Sequence, residues 1–212
     1  MPPVVAFLSN VHGNLTALEE ALAFLKRKGV TEIHVLGNLV GEGRAPNEVV
    51  ALARKRGLQC LQGPFEAALA GRSPPPRLFP TETARERFEA DVACNADTLE
   101  STHLRYLQGL PLERRLGAGG QTALAAAGRV GTPWKAFAMD APVSAVRQEL
   151  EMARADLVLL GTPGFPFVRE EGTKRVVGTG SLHEPRHGEG RVTLLDLETG
   201  VVAQPVVAYP VP

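Results

Sequence analysis

The residues best suited to chemistry lie in one short loop near the start of the chain. The apolar run at 4–8 predicts a buried strand, and leucines spaced three and four apart predict a helix over 15–28. The loop between them, S-N-V-H-G-N, offers the imidazole of His12 and the carboxamides of Asn10 and Asn14, but no carboxylate. Open α/β sheets bind ligands at such strand-to-helix loops. Asn10 and His12 are therefore the first candidates for a binding or catalytic role.

Composition excludes several classes of function. The formal net charge is zero, and no basic run is long enough for a nucleic-acid footprint. No apolar stretch approaches the length of a membrane span, so we expect no membrane partner and a cytoplasmic protein. The excess of arginine over lysine, 18 to 5, is typical of a heat-adapted or a high-GC source.

The first seventy residues alternate strand and helix patterns. Further strands are predicted at 33–36 and 58–61, with a helix at 46–56 that has Pro46 in its first turn. Three strand-loop-helix units predict a parallel sheet. Thr16 and Glu19 have capping-box spacing at the start of the first helix.

The pattern changes after residue 70. A proline-rich excursion at 71–80 precedes a helical segment at 81–108, which predicts two helices. The remainder predicts a helix at 143–154 and a largely antiparallel set of strands. These strands are expected at 112–116, 122–127, 157–160, 165–169, 175–177, 192–197 and 201–207.

Several loops resemble, in chain order, the motifs of the calcineurin-like metallophosphoesterases, in particular their small prokaryotic phosphodiesterase branch. S-N-V-H-G-N-L at 9–15 resembles S-D-x-H-G-N-L, L-G-N-L-V-G at 36–41 resembles G-D-L-V-G, and G-T-G-S-L-H-E-P-R at 178–186 resembles N-P-G-S-x-x-x-P-R. Three further segments lie where that family has its other motifs. Q-G-P-F-E at 62–66 stands in place of G-N-H-D, A-A-G at 126–128 in place of V-H-G, and G-T-P-G at 161–164 in place of G-H-T-H. The resemblance implies one domain over residues 1–212, folded as a four-layer αββα sandwich of two mixed β-sheets.

The resemblance also implies a pair of manganese, iron, nickel or zinc ions, and the positions that would ligate them. Only His12 keeps the family's residue type. The other ligand positions hold Asn10, Asn38, Pro64, Ala127, Thr162 and Gly164, and Phe65 stands where the family has the histidine that assists the leaving group. Two adjacent dications need anionic ligands to offset their repulsion, and an amide oxygen is neutral. We therefore expect no metal cofactor.

Each vestigial residue also has a structural interpretation. Asn10 and Asn38 are either backbone caps of their loops or a pair that recognises a ligand. His12 is either a structural histidine hydrogen-bonded within its loop or a ligand-binding group. His34 is expected to be structural, and His103 to lie on a helix surface.

A late loop supplies further candidates. Ser181, His183, Arg186 and His187 share it, and by the resemblance it borders the old site. Arg186 could bind a phosphate bidentately or form a surface salt bridge. Glu66 and Asp140 are the carboxylates considered as replacement metal ligands.

These observations predict a metallophosphoesterase-fold protein that has lost its dinuclear metal site and its phosphodiesterase activity, and that binds a small phosphorylated or anionic ligand or a partner. The alternative is an active phosphoesterase, for phosphodiesters or phosphomonoesters, with a rebuilt mono-metal or metal-independent site around His12. A third hypothesis is a homo-oligomer interface over the old cleft.

Overall fold

The computed structural model describes residues 4–118, 120–184 and 187–211. Its strands are β1 (Val4–Leu8), β2 (Glu32–Val35), β3 (Gln59–Cys60), β4 (Glu113–Ala118), β5 (Gln121–Ala126), β6 (Leu157–Leu160), β7 (Pro166–Glu171), β8 (Lys174–Thr179), β9 (Glu189–Arg191), β10 (Thr193–Asp196), β11 (Val202–Ala203) and β12 (Val206–Ala208). Its helices are α1 (Leu15–Arg27), α2 (Pro46–Lys55), α3 (Pro64–Leu69), α4 (Glu82–Thr98), α5 (Ser101–Gln108) and α6 (Val143–Ala153), with a 3₁₀ turn at Pro76–Leu78.

Most of these strands form two five-stranded mixed sheets. The first sheet has the order β11-β10-β1-β2-β3, with β1, β2 and β3 parallel as the sequence predicts. The second has the order β4-β5-β6-β8-β7, in which β5, β6 and β8 are parallel and the two outer strands are antiparallel. The expectation of a largely antiparallel second half is wrong at its centre, because α6 provides a crossover between β5 and β6.

The last quarter of the chain is divided differently from the prediction. The strand predicted at 192–197 is confirmed as β10, which pairs with β1 and β11 in the first sheet. The segment 201–207, predicted as one strand, instead divides into β11 and β12, and β12 forms a separate two-stranded ladder with β9. Pro205 lies between β11 and β12 and has no amide hydrogen to continue a ladder, so the strand breaks there.

Three apolar clusters fill the space between the layers. One lies between the two sheets and includes Phe7, Leu159 and Leu195. A larger one packs α1, α2 and α5 against the first sheet, and a third packs α6 against the second. The architecture is therefore the expected αββα sandwich. Within the described ranges, none of the helices is both long and apolar enough to cross a membrane.

Two local predictions about helices are wrong. Helix α1 begins one residue before Thr16, and its cap is Asn14, whose Oδ1 accepts a hydrogen bond of 3.0 Å from the Ala17 amide. The predicted capping box of Thr16 and Glu19 therefore lies inside the helix. The segment 64–69, treated as loop, forms α3 with Pro64 in its first turn.

The two sheets come into backbone contact where β6 ends. A Cβ atom on Gly161 would lie 2.1 Å from the carbonyl oxygen of Leu36, which follows β2 in the other sheet. Only glycine permits this contact between backbones.

We predict that Gly161→Ala lowers the free energy of unfolding by about 2–4 kcal/mol, because the added methyl group must push the two sheets apart. Urea denaturation measures the change. Gly117→Ala is the matched control, since a Cβ there meets nothing within 4 Å. Equal stability of the two variants would contradict the close approach.

Candidate functional site

The loops after β1 and β2 run side by side and hold unusual backbone conformations. Asn10, His12 and Asn38 have φ angles of 53°, 51° and 51°, in the left-handed region that non-glycine residues seldom adopt. Backbone hydrogen bonds hold the two loops together, from Asn10 N to Gly37 O at 3.1 Å and from His12 N to Asn38 O at 2.8 Å. Strain of this kind, about 1–3 kcal/mol per residue, persists only where the surroundings fix it and is frequent at functional sites.

The side chains of Asn10 and Asn38 form a chain of hydrogen bonds rather than capping their own loops. Asn38 Nδ2 donates to Asn10 Oδ1 at 2.8 Å, and Asn10 Nδ2 donates to the carbonyl oxygen of Gly161 at 2.9 Å. The Phe65 amide points to Asn38 Oδ1 at 3.4 Å. Both asparagines are buried. Each amide therefore acts as donor and acceptor at once, which an ionised carboxylate cannot do.

This chain connects the two sheets at the carboxyl ends of their parallel strands. Asn10 and Asn38 follow β1 and β2 of the first sheet, whereas Gly161 follows β6 of the second. A second connection runs beside it, where Ser9 Oγ lies 2.9 Å from Thr179 Oγ1 at the end of β8. The sandwich is thus joined by neutral hydrogen bonds where the family would place its metals.

The Glu66 carboxylate accepts hydrogen bonds from backbone amides. It is fully buried and accepts three amide hydrogen bonds, from Asn38 N at 3.0 Å, Val40 N at 3.1 Å and Gly63 N at 2.8 Å. Burial raises the pKa of this carboxyl, and the three amide donors partly offset that effect. Glu66 therefore fixes the loop after β2 from the first turn of α3. A glutamate three residues into a Gly-Pro-initiated helix was the sequence signal for this role.

His12 lies in a tight apolar setting. Its Nδ1 is buried without a hydrogen-bond partner in the part of the chain that the structure describes. A Cβ on Gly41 would lie 2.4 Å from that atom, and the Phe65 ring stands edge-on at 5.5 Å. Burial lowers the pKa of His12 to about 3, and the nearby His183 contributes less. His12 is therefore neutral at pH 7, and the predicted hydrogen bond to its own loop is absent at Nδ1.

Phe65 closes the site with an aromatic cluster. Its ring centroid lies 4.8 Å from that of Phe88 on α4, and Phe88 lies 5.5 Å from Phe79. Asn95, also on α4, donates from Nδ2 to Gly41 O at 2.8 Å. Helix α4 thus covers the loop after β2 and keeps Phe65 in place.

Of the candidates predicted in the late loop that contains Ser181 and His183, His183 lies next to His12. The His183 ring lies 5.7 Å from that of His12, and its Nδ1 lies 3.1 Å from Asn14 Nδ2. Burial lowers the pKa of His183. The Ser181 hydroxyl donates a hydrogen bond to His183 O at 2.8 Å, within the same loop. Arg186 lies outside the described residues, and His187 is exposed.

The other residues singled out in the sequence, Asp140, His34 and His103, lie outside the site formed by Asn10, His12 and Asn38. Asp140 is exposed, in the segment that precedes α6. His34 is buried between the sheets, as expected, stacked on Phe7. His103 was expected on a helix surface but is buried, because Asn47 Oδ1 lies 3.1 Å from its Nδ1 and ties α5 to α2.

The donor set does not suit two divalent metals. Within the described ranges, His, Cys, Asp and Glu side chains nowhere gather in threes as metal ligands. The amide oxygens of Asn10 and Asn38 already face N–H donors, and the carboxylate of Glu66 is occupied by the backbone. Neutral imidazoles and amides, with no carboxylate free to bind the metals, leave the repulsion between two dications uncompensated.

Comparison with known proteins agrees with this fold. No family model matches the chain. It is 24% identical over 202 residues to the uncharacterized protein MJ0912 of Methanocaldococcus jannaschii, covering 87% of this chain and 78% of that one. Hypothetical protein PH1004 from Pyrococcus horikoshii superposes with a TM-score of 0.80 at 22% identity, over 98% of this chain and 88% of the other. A metallophosphoesterase from Sphaerobacter thermophilus gives a TM-score of 0.77 at 22% identity, over 99% and 90%. The chain therefore has the calcineurin-like metallophosphoesterase fold.

We predict that Asn10→Asp lowers the free energy of unfolding by about 1–3 kcal/mol at pH 7, because a carboxylate oxygen would replace the amide that donates to Gly161 O. Thermal or urea denaturation measures this. Gln59→Glu is the control, since it makes the same change from amide to carboxylate at an exposed side chain. An Asn10→Asp variant as stable as the wild type would show that the amide chain is not needed.

The low pKa of His12 predicts that the folded protein loses stability as the pH falls. With a pKa of about 3 in the fold and 6.5 as the ordinary value, the unfolded chain takes up the proton first as the pH falls. Folding stability should therefore be lost between about pH 6.5 and pH 3, and the lowered pKa values of His34 and His183 act in the same direction.

We expect His12→Leu to reduce this loss by about 1–3 kcal/mol between pH 7 and pH 4, a figure discounted because the ring is only partly buried. Urea denaturation across that range is the measurement. His187→Leu controls for removal of an exposed imidazole. A His12→Leu profile parallel to that of the wild type would refute the assignment.

Proposed function

We propose that this metallophosphoesterase-fold protein does not hold the dinuclear metal centre and acts as a non-catalytic binding or interaction protein. The observation that carries the proposal is the amide chain from Asn38 through Asn10 to Gly161 O. Two residues that match the family's aspartate positions are committed to neutral hydrogen bonds with each other and with the opposite sheet. Restoring metal ligation would require breaking both bonds.

The surrounding residues support the same conclusion. Phe65 and Pro64 remove two polar groups from the G-N-H-D position, and α4 packs over Phe65 through Phe88. A hydrolase needs water and a charged phosphate beside its nucleophile, whereas His12 is packed against the aromatic ring of Phe65. The neighbouring rings of His12 and His183, with centroids 5.7 Å apart, are the groups that would contact a small anionic ligand.

One observation favours the alternative of a rebuilt phosphoesterase. His12 and His183 are adjacent, and burial lowers the pKa of both imidazoles. His183 is the candidate general base of the pair, because a pKa of about 3 makes His12 a weak base. A mono-metal or metal-independent hydrolysis would have to use this pair, because Glu66 is occupied by three amides.

Metal analysis and a hydrolysis assay separate the two functions. Protein purified without chelator should contain far less than one manganese, iron, nickel or zinc ion per chain, and should not hydrolyse an aryl phosphodiester or phosphomonoester with added manganese. Near-stoichiometric metal would contradict the proposal. Turnover that disappears in His12→Ala and persists in His103→Ala would establish the rebuilt hydrolase instead.

A further inference from the structure

A second surface feature lies at the opposite end of the first sheet from the Asn10–Asn38 site. It is a cleft of about 300 Å³ between the end of α1 and the start of β2. Leu22, Val30 and Ile33 contribute apolar side chains to it, and Lys26, Thr31 and Arg56 line it with exposed side chains. We refer to these six residues as the basic cleft. It opens at the amino ends of the parallel strands, whereas the vestigial site lies at their carboxyl ends.

Both charged side chains that line the basic cleft, Lys26 and Arg56, are cations. Helices α1 and α2 both end here, and each ends in three consecutive basic residues, at 26–28 and 54–56. None of these six cations forms an ion pair with another residue in the described ranges. Cations at helix C-termini are favourable for the helices themselves, but that effect does not require two triplets beside one cleft.

The nearest acidic side chains do not neutralise the cleft. Glu32 adjoins Thr31 in sequence, but it bonds to His34 Nε2 at 2.9 Å, and side chains alternate along a strand, so both face away from Ile33. Glu19 and Glu20 on α1 and Glu48 on α2 lie six to eight residues before Lys26 and Arg56, about 9–12 Å along the helix axes at 1.5 Å per residue. The basic cleft is therefore electropositive around an apolar floor.

We propose that the basic cleft is a docking site for an acidic segment of a partner protein, with one apolar side chain seated over Leu22, Val30 and Ile33. Glutamate and aspartate residues on either side of that apolar residue would face Lys26 and Arg56. Charge complementarity steers such a segment to the surface, and the apolar contact holds it there. The proposal goes beyond the state of the vestigial site and is independent of it.

The shape and composition favour this partner over the other polyanions. The residues that line the cleft include no aromatic side chain on which a nucleobase could stack. A small phosphorylated compound would leave the apolar floor uncovered. A concave floor with cations at its rim matches an extended peptide better than a flat membrane surface.

Fluorescence anisotropy with the full chain tests the proposal. The probe is a labelled peptide of seven residues with one central leucine and three glutamates on each side, and the comparison peptide has serine in place of the leucine. We expect the leucine peptide to bind with a Kd that rises with salt, and the serine peptide to bind about tenfold more weakly.

Matched variants locate the binding site. Lys26→Glu/Arg56→Glu should raise the Kd about tenfold or more, and Thr31→Glu should weaken binding with the fold intact by circular dichroism. Arg72→Glu/Arg77→Glu changes the net charge equally at a distant exposed site and should leave the Kd unchanged. Equal losses in both double variants, no binding of the leucine peptide, or tighter binding of an oligonucleotide or of phosphatidylserine vesicles would each overturn the proposal.

Discussion

The hydrogen bond between the side chains of Asn38 and Asn10 is the contact on which the rest of the site depends. Both residues have left-handed backbone conformations, and their side-chain amides face each other with Asn38 Nδ2 2.8 Å from Asn10 Oδ1. Asn10 then donates onward to Gly161 O, so two loops of one sheet and one loop of the other share a single hydrogen-bonded chain. Every member of the chain is neutral, so the chain supplies no anionic ligand to offset the repulsion between two dications. The residues that tie the sheets together are the ones at the positions that the family resemblance assigns to metal ligands.

The two ends of the first sheet consequently differ in character. At the carboxyl end, the amide chain, the buried Glu66 and the Phe65–Phe88 contact leave little polar surface free. At the amino end, the helices stop at basic triplets around an open apolar floor. Under the two proposals, the contacts that stabilise the molecule and the surface that binds a partner lie at opposite ends of the first sheet.

The sequence allowed much of this fold to be predicted, because its signals there are local. The strand at 4–8 has the predicted bounds, and the glycines that mark the site loops lie at positive φ or close approaches. The sequence could not show that Asn10 and Asn38 form a hydrogen bond with each other, because asparagine is suited to loop caps, to ligand-binding sites and to pairs of amides alike. It also missed α3, whose length is only six residues, and the burial of His103, which depends on Asn47 more than fifty residues away. Periodicity does not encode such long-range partners.

The most direct test of the amide chain is a crystal structure of the protein grown with manganese, with data collected at a wavelength where manganese scatters anomalously. The account predicts no anomalous peak beside His12, and an Asn38 Nδ2 that remains within hydrogen-bonding distance of Asn10 Oδ1. Two anomalous peaks between Asn10, His12 and Asn38, with the asparagine amides turned toward them, would contradict it.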